Sequence, residues 1–344
     1  MPDNLVFTID PALSLKEFLQ TKKYSRVTVL TDENTSKHCY PLLANAFPEH
    51  KIITIPSGEE HKTINTCSKI WDAMTSHALD RHSVLVILGG GVLGDMGGFC
   101  AATYKRGIDF ILIPTTLLSQ VDASIGGKLG VDFNHFKNHI GVFQTPALTV
   151  LHAGFLKTLS SREKRSGFAE IIKHCLISDK AMWDVLRSKS FENQDWDTLI
   201  RHSVGFKEQV VTEDPKEKGL RKILNMGHTI GHAIETFLLN AGNKVLHGEA
   251  IAAGLIAESW LSKERGFISN DEFSQIAKYI LSTFGKIEIP QQNDDAIASL
   301  TLQDKKNEGD KILSVLLDGV GKARWDNVIT KEEVKGALAI YRSL

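Results

Sequence analysis

The chain has 344 residues, 42% of them hydrophobic and 24% charged, and its 40 Lys+Arg nearly cancel its 41 Asp+Glu to leave a net charge of −1. That length suggests roughly two domains, and the balance is that of a globular protein with a sizeable core rather than a disordered one. A charge so near zero gives no reason to expect a general nucleic-acid or membrane surface, and no apolar run approaches the roughly 18 residues of a membrane span.

Residues 1–10 have no basic start and only a short apolar stretch, so they read as a first strand rather than a signal peptide. Strands are expected at Leu5–Ile9, Arg26–Thr31, Lys51–Ile55, Ser83–Leu88 and Ile108–Ile113, with helical spacing over Thr63–Ala78 and Gly94–Tyr104. Such alternation implies an α/β layer with a largely parallel sheet, a Rossmann-like N-terminal nucleotide-binding domain over residues 1–150. From residue 151 to 344 the pattern becomes mostly α-helical. Helices are expected at Ser161–Ile177, Trp196–Thr212, Leu224–Leu239, Gly248–Arg265 and Asp271–Leu281, and Asp318-Gly319 after Lys311–Leu317 marks a hairpin. Cys39, Cys67, Cys100 and Cys175 are widely spaced with no C-x-x-C pair, which reads as reduced thiols of a cytoplasmic protein.

Three constellations carry chemistry. Ser83–Leu88 runs into Gly89-Gly90-Gly91-Val92-Leu93-Gly94-Asp95, a strand, a glycine turn and a helix start. Glycine lets a diphosphate approach the backbone, and the helix start offers amides and a positive dipole end. The competing reading is a turn that needs glycine only for packing. The segments Pro114-Thr115-Thr116, Asp122-Ala123-Ser124 and Gly126-Gly127-Lys128 suit a polar ligand and would be equally at home in a solvated loop.

The second constellation is a divalent-metal site. His228 and His232 stand at i, i+4 on one helical face, His247 begins another helix, and Glu170, Lys173 and His174 share a face of a third. One carboxylate and two imidazoles from separate helices would hold a cation and leave positions open, as a catalytic zinc requires; Glu170, His228 and His247 are the preferred set. His228 with His232 is an alternative pair, although no Glu follows His228 to complete H-E-x-x-H, and His174 could replace one ligand. The third constellation is cationic: Arg106, Lys128, Lys137 beside Asn138, Lys207, Arg221 with Asn225, and Lys305-Lys306. Arg221 and Asn225 are expected on one face of the helix that carries His228, where a guanidinium suits a carboxylate or phosphate. Most such residues in any protein are solvated surface charges, so the clustering is what counts.

In their order and spacing these motifs resemble the 3-dehydroquinate synthase family. The resemblance runs from Ser57-Gly58-Glu59 and Lys62 to Asp304-Lys305-Lys306-Asn307. It implies that NAD lies against Asp32, Asn34, Ser57, Gly58, Glu59, Lys62, Gly90, Gly91, Val92, Asp95, Thr115, Thr116, Asp122, Lys137, Phe155 and Thr158. It implies Glu170, His228 and His247 as ligands to zinc or cobalt, and Glu217, His232 and Lys173 as catalytic residues. Substrate would be gripped by Lys128, Asn138, Lys207, Arg221, Asn225 and one of Lys305 or Lys306, with Arg106 reaching the neighbouring site of a homodimer. The implied reaction is a phosphate-eliminating cyclisation: 3-deoxy-D-arabino-heptulosonate 7-phosphate gives 3-dehydroquinate and phosphate through oxidation, elimination, reduction, ring opening and aldol closure, with NAD regenerated. The rival readings are a metal-dependent polyol dehydrogenase and a non-catalytic nucleotide-binding protein of the same fold.

Overall fold

The structure is a computed structural model that describes residues 4–134, 136–303 and 311–344. The chain divides into two compact units, Met1–Ser160 and Ser161–Leu344. The first contains β1 (Leu5–Phe7), α1 (Pro11–Lys22), β2 (Val27–Asp32), α2 (Glu33–His38), β3 (His50–Ile55), α3 (Ile64–Ser76), β4 (Val84–Gly89), α4 (Gly91–Thr103), β5 (Asp109–Pro114), β6 (Lys128–Phe133), β7 (Phe136–Phe143) and β8 (Leu148–Leu151). Six strands form one parallel sheet in the order β1-β8-β5-β4-β2-β3.

Every residue of β4 is buried, because helices cover both faces of a parallel sheet and leave no side of a central strand to water. Leu15 and Leu19 of α1 pack with Val29, Val86 and Ile111 on one side. Ile70 and Met74 of α3 and Met96 and Phe99 of α4 pack with Leu30, Ile87 and Leu112 on the other. The parallel α/β layer expected from the sequence is present. The reading missed α1, whose N-terminus is fixed by Pro11 and by Asp10 accepting from Leu13 N–H. It also missed β8 and the antiparallel β6–β7 hairpin, which carries the small and polar residues Gly126-Gly127-Lys128 at its entry.

The second unit is mostly helical: α5 (Ser161–Ser178), α6 (Lys180–Arg187), α7 (Trp196–Glu213), α8 (His228–Asn240), α9 (His247–Glu264), α10 (Asn270–Phe284), α11 (Asp294–Leu300), the hairpin β9 (Ile312–Leu317) and β10 (Ala323–Ile329), and α12 (Lys331–Ser343). Helix α9 is apolar nearly all round, and such a helix must be central; α5, α8, α10 and α12 pack around it. One expectation is corrected here. The helix read as Leu224–Leu239 starts at His228, and Leu220–Asn225 form a separate 3₁₀ turn. Gly227 separates the two with φ +78°, a left-handed backbone conformation that ends helical propagation. Arg221 and Asn225 therefore do not share a helix face with His228.

Candidate active site

In the first unit the glycine-rich turn leads from β4 into α4, whose N-cap is Gly90 and so has no side chain to satisfy the first-turn amides. A pocket at this helix start is lined by Gly89, Gly90, Gly91, Asp95, Pro114 and Ser124. A Cβ at Gly90 would come within 3.0 Å of Thr116 Cγ2, and one at Gly91 within 3.2 Å of Ala123. The bare backbone thus forms a cradle that larger residues would fill, and its free amides suit a diphosphate.

Several residues named from the sequence meet around it. Lys62 is buried and donates to Asp95 Oδ2 at 2.7 Å and to Asn138 Oδ1 at 2.6 Å. Burial pushes the Asp95 carboxyl above its ordinary range, against the pull of the Lys62 ammonium. Asp132 N–H donates to Lys62 O at 2.9 Å, so the β6–β7 hairpin is tied to the Lys62 segment. Thr116 and Ser119 exchange hydrogen bonds beside the glycine turn, with their hydroxyls 2.9 Å apart. Asn34 donates to Ser57 Oγ at 3.2 Å, and Asp32 caps α2 by accepting from Thr35 N–H at 2.7 Å. Glu33, which the sequence did not single out, accepts from both Ser57 N and Ser57 Oγ. Phe155 is buried, whereas Lys128, Lys137, Thr158 and Arg106 are exposed. Arg106 has φ +70°.

In the second unit, helices α5, α8 and α9 bring Glu170, His228 and His247 to one point. Glu170 is fully buried; its Oε1 lies 3.5 Å from His228 Nε2 and 3.6 Å from His247 Nε2 and has no hydrogen-bond partner among the described residues. The separations approximate the donor spacing around a tetrahedral cation with bonds of about 2.1 Å, and a buried carboxylate oxygen without a hydrogen bond suits such a cation. His228 Nδ1 lies 3.0 Å from Met226 O, which can only accept, so Nδ1 carries the proton and Nε2 faces Glu170 with its lone pair. His247 Nδ1 lies 3.1 Å from Glu235 Oε2, a carboxylate oxygen that accepts. Glu235 went unnoticed in the sequence, although it stands seven positions after His228, on the same face of α8.

His232 is close enough to be an alternative ligand, since His228, His232 and His247 have ring nitrogens within 4.8 Å of one another. Glu170 adds a carboxylate oxygen against two of these imidazoles. The other Glu170 oxygen accepts from the Lys173 ammonium. Burial would raise the Glu170 carboxyl, but Lys173 first and then His247 hold it well below the usual carboxylate range. Burial would lower the His247 imidazole, yet the Glu170 and Glu235 carboxylates push it up to about 10. The pocket is therefore arranged for positive charge. His174, one turn beyond Glu170, has Nδ1 against Ser203 Oγ and a ring nitrogen within 4.8 Å of a Glu170 oxygen.

Cations are buried in the surroundings. Lys173, Lys207 and Arg221 are 1%, 6% and 3% exposed, rare burial for cations, and Glu170 is the counterpart of the first. Lys207 lies on α7, and Arg221 lies in the 3₁₀ turn; both elements pack against α5. Arg221 also donates to Pro215 O at 2.8 Å, and Asn225 donates to Glu217 Oε1 at 2.7 Å. Glu217 takes φ +58°, a conformation uncommon for a residue with a side chain. Lys305 and Lys306 lie outside the described residues.

Models of the 3-dehydroquinate synthase N-terminal and C-terminal regions match residues 52–166 and 167–307. A 3-dehydroquinate synthase of Parabacteroides distasonis is 39% identical over 343 residues, 98% of this chain and 97% of that protein. One of Campylobacter jejuni is 43% identical over 300 residues, 85% of each chain. Among solved structures, a 2-epi-5-epi-valiolone synthase of Streptomyces hygroscopicus, with NAD+ and Zn2+ bound, superposes with TM-score 0.88 at 26% identity, covering 100% of this chain and 97% of that one. A glycerol dehydrogenase of Schizosaccharomyces pombe shares the fold alone, with TM-score 0.68 at 13% identity over 99% of this chain and 89% of that one.

Proposed function

The chain belongs to the 3-dehydroquinate synthase family of lyases, and from that premise we propose that it converts 3-deoxy-D-arabino-heptulosonate 7-phosphate to 3-dehydroquinate and phosphate with catalytic NAD and a divalent zinc or cobalt ion. The observation that carries the reading is the meeting of Glu170 Oε1 with His228 Nε2 and His247 Nε2, in a domain that also buries Lys173, Lys207 and Arg221. A polyol oxidoreductase needs nucleotide and metal but has no reason to bury cations for a phosphate; an eliminating cyclase needs all three.

In this reading residues 1–150 bind nucleotide, and residues 151–344 bind metal and substrate. The amides of Gly91 and Val92 receive the diphosphate, Lys62 and Asp95 stand at its edge, and Asp32 and Asn34 lie toward the adenosine. Glu170, His228 and His247 hold the metal. When bound, NAD supplies a hydride acceptor that is restored in each turnover, and the metal supplies Lewis acidity to the reacting hydroxyls. Arg221, Lys207 and Lys173 orient the carboxylate and phosphate and offset the charge that develops as phosphate leaves. Asn138 and Lys128 complete the grip on the substrate. His232, beside the metal ligands, and Glu217, held by Asn225, serve proton transfer.

A homodimer, with Arg106 serving the neighbouring site, is supported by Phe133, Phe136 and Phe143, which the β6–β7 hairpin leaves exposed. A cytoplasmic location is supported by four buried, unpaired cysteines; no helix among the described residues is long and apolar enough to cross a membrane. The deciding experiment supplies the heptulosonate phosphate with NAD at a small fraction of the substrate concentration. The expected result is stoichiometric phosphate release without NADH accumulation. Conversion of the small NAD pool to NADH without phosphate release would instead identify a dehydrogenase.

A further inference from the structure

The two histidines at the proposed metal site are held differently. His247 Nδ1 meets a carboxylate directly, that of Glu235, whereas His228 Nδ1 meets the carbonyl of Met226. That carbonyl belongs to the peptide unit whose N–H is Gly227 N, and Gly227 N–H donates to Glu258 Oε2 at 2.7 Å. No peptide bond among the described residues is cis, so the C=O and N–H of this unit point in opposite directions. A continuous relay results: the Glu258 carboxylate, the Met226–Gly227 peptide, His228 Nδ1–H, and His228 Nε2 facing Glu170 Oε1 at 3.5 Å.

The second oxygen of Glu258 accepts from Ile230 N–H at 3.0 Å. Ile230 is the third residue of α8, the position whose amide an N-cap side chain ordinarily satisfies; here the N-cap is Gly227, which has none. Glu258 therefore caps α8 from α9, and an anion is favoured at that place by the helix dipole. No side chain fits at Gly227, since a Cβ there would fall 2.8 Å from Leu255 Cδ2 and 3.1 Å from Leu255 N.

We infer that Glu258, 0% exposed and outside the ligand set, is a positioning residue for the metal: through the Met226–Gly227 peptide it fixes the tautomer and the direction of His228, as Glu235 does directly for His247. This rests on the ligand reading proposed above. A carboxylate at the far end polarises the intervening peptide and makes its carbonyl a stronger acceptor, which raises the basicity of Nε2.

The test is Glu258→Gln in the full chain, with Co2+ alone as the probe. An amide of the same shape presents one acceptor where two are needed and turns an NH2 against the other backbone N–H. Chelator competition should show Co2+ affinity reduced on the order of 10-fold or more, with a changed visible Co2+ spectrum, while NAD affinity stays at the parent value. Glu258→Met fills the same volume without burying a charge and gives the same reading should the Gln variant fail to fold. A lower thermal midpoint with parent-like Co2+ affinity and spectrum would make Glu258 a helix cap only and overturn the inference. His228→Ala separates the two levels. Loss of Co2+ there with parent-like binding in Glu258→Gln rejects this inference alone; parent-like binding in both rejects the ligand assignment itself.

Discussion

Glu170 and Lys173 are buried together, and neither ionised group would be stable there without the other. A single substitution consequently removes two things. Glu170→Ala takes the anionic donor from the metal pocket and strands a buried ammonium, so we expect metal content after dialysis to fall to background and the fold to lose roughly 3 kcal/mol. Elemental analysis and thermal denaturation read the two effects separately; retention of a full metal equivalent would remove Glu170 from the ligand set. At this scale the sequence was informative where spacing decides proximity. His228 and His232 at i, i+4 and Glu170 with Lys173 at i, i+3 are neighbours in any helix. It was silent on Glu235 and Glu258, whose partners are His247 on the next helix and the backbone at the start of α8.

The three helices bearing the proposed ligands cross at glycines. A Cβ on Gly254 of α9 would sit 2.0 Å from Gly227 O, and one on Gly248 would sit 1.9 Å from Ser166 O of α5. Both contacts are with backbone, which cannot rotate aside as a side chain can. Gly254→Ala should therefore push α8 and α9 apart, lowering stability by about 1–3 kcal/mol and weakening metal binding with it. Gly205 in α7 is the control: a Cβ there meets nothing within 4 Å, so Gly205→Ala should stabilise by about 0.4–1 kcal/mol through the unfolded chain. Calorimetry on the pair decides; equal losses at both positions would mean that helix approach is not what Gly254 protects. Element type was legible because apolar periodicity is local. The start of α8 was not, since apolar Leu220, Ile223 and Leu224 continue a helix-like pattern through a turn that only the left-handed Gly227 interrupts.

For the whole molecule, the shifted ionisations set a pH window. Met182 N–H lowers the Asp179 carboxyl and Thr198 lowers that of Asp195. Burial would raise Glu249 and Glu333, but Arg162 with Leu246 N–H, and Arg265 with Thr330, together hold them low. Groups held low stabilise the fold above the ordinary carboxylate range, and that contribution is lost as pH falls through their lowered values. On the alkaline side burial, with Asp32 adding to it, pushes the Cys39 thiol up to about 11, and burial pushes the Tyr279 hydroxyl up to about 12. Their contribution is complete below the unfolded values of about 8.5 and 10 and is lost as pH rises through the folded ones. His247, pushed up to about 10, adds a contribution that is lost from about pH 6.5 upward, so the thermal midpoint should be highest near pH 5 to 6.5 and fall on both sides; a midpoint still rising above pH 9 would contradict this reading. The sequence by itself determined the fold class, the family, and the residue types available for nucleotide, metal and anion, because periodicity, turn chemistry and short motifs act over a few positions. Only the tertiary structure decided which groups face one another: that Lys62 spans Asp95 and Asn138, that Asn225 holds Glu217, and that two glutamates stand behind two histidines. Those pairings depend on how helices and strands cross, and crossing is set by the close packing of side chains far apart in the chain.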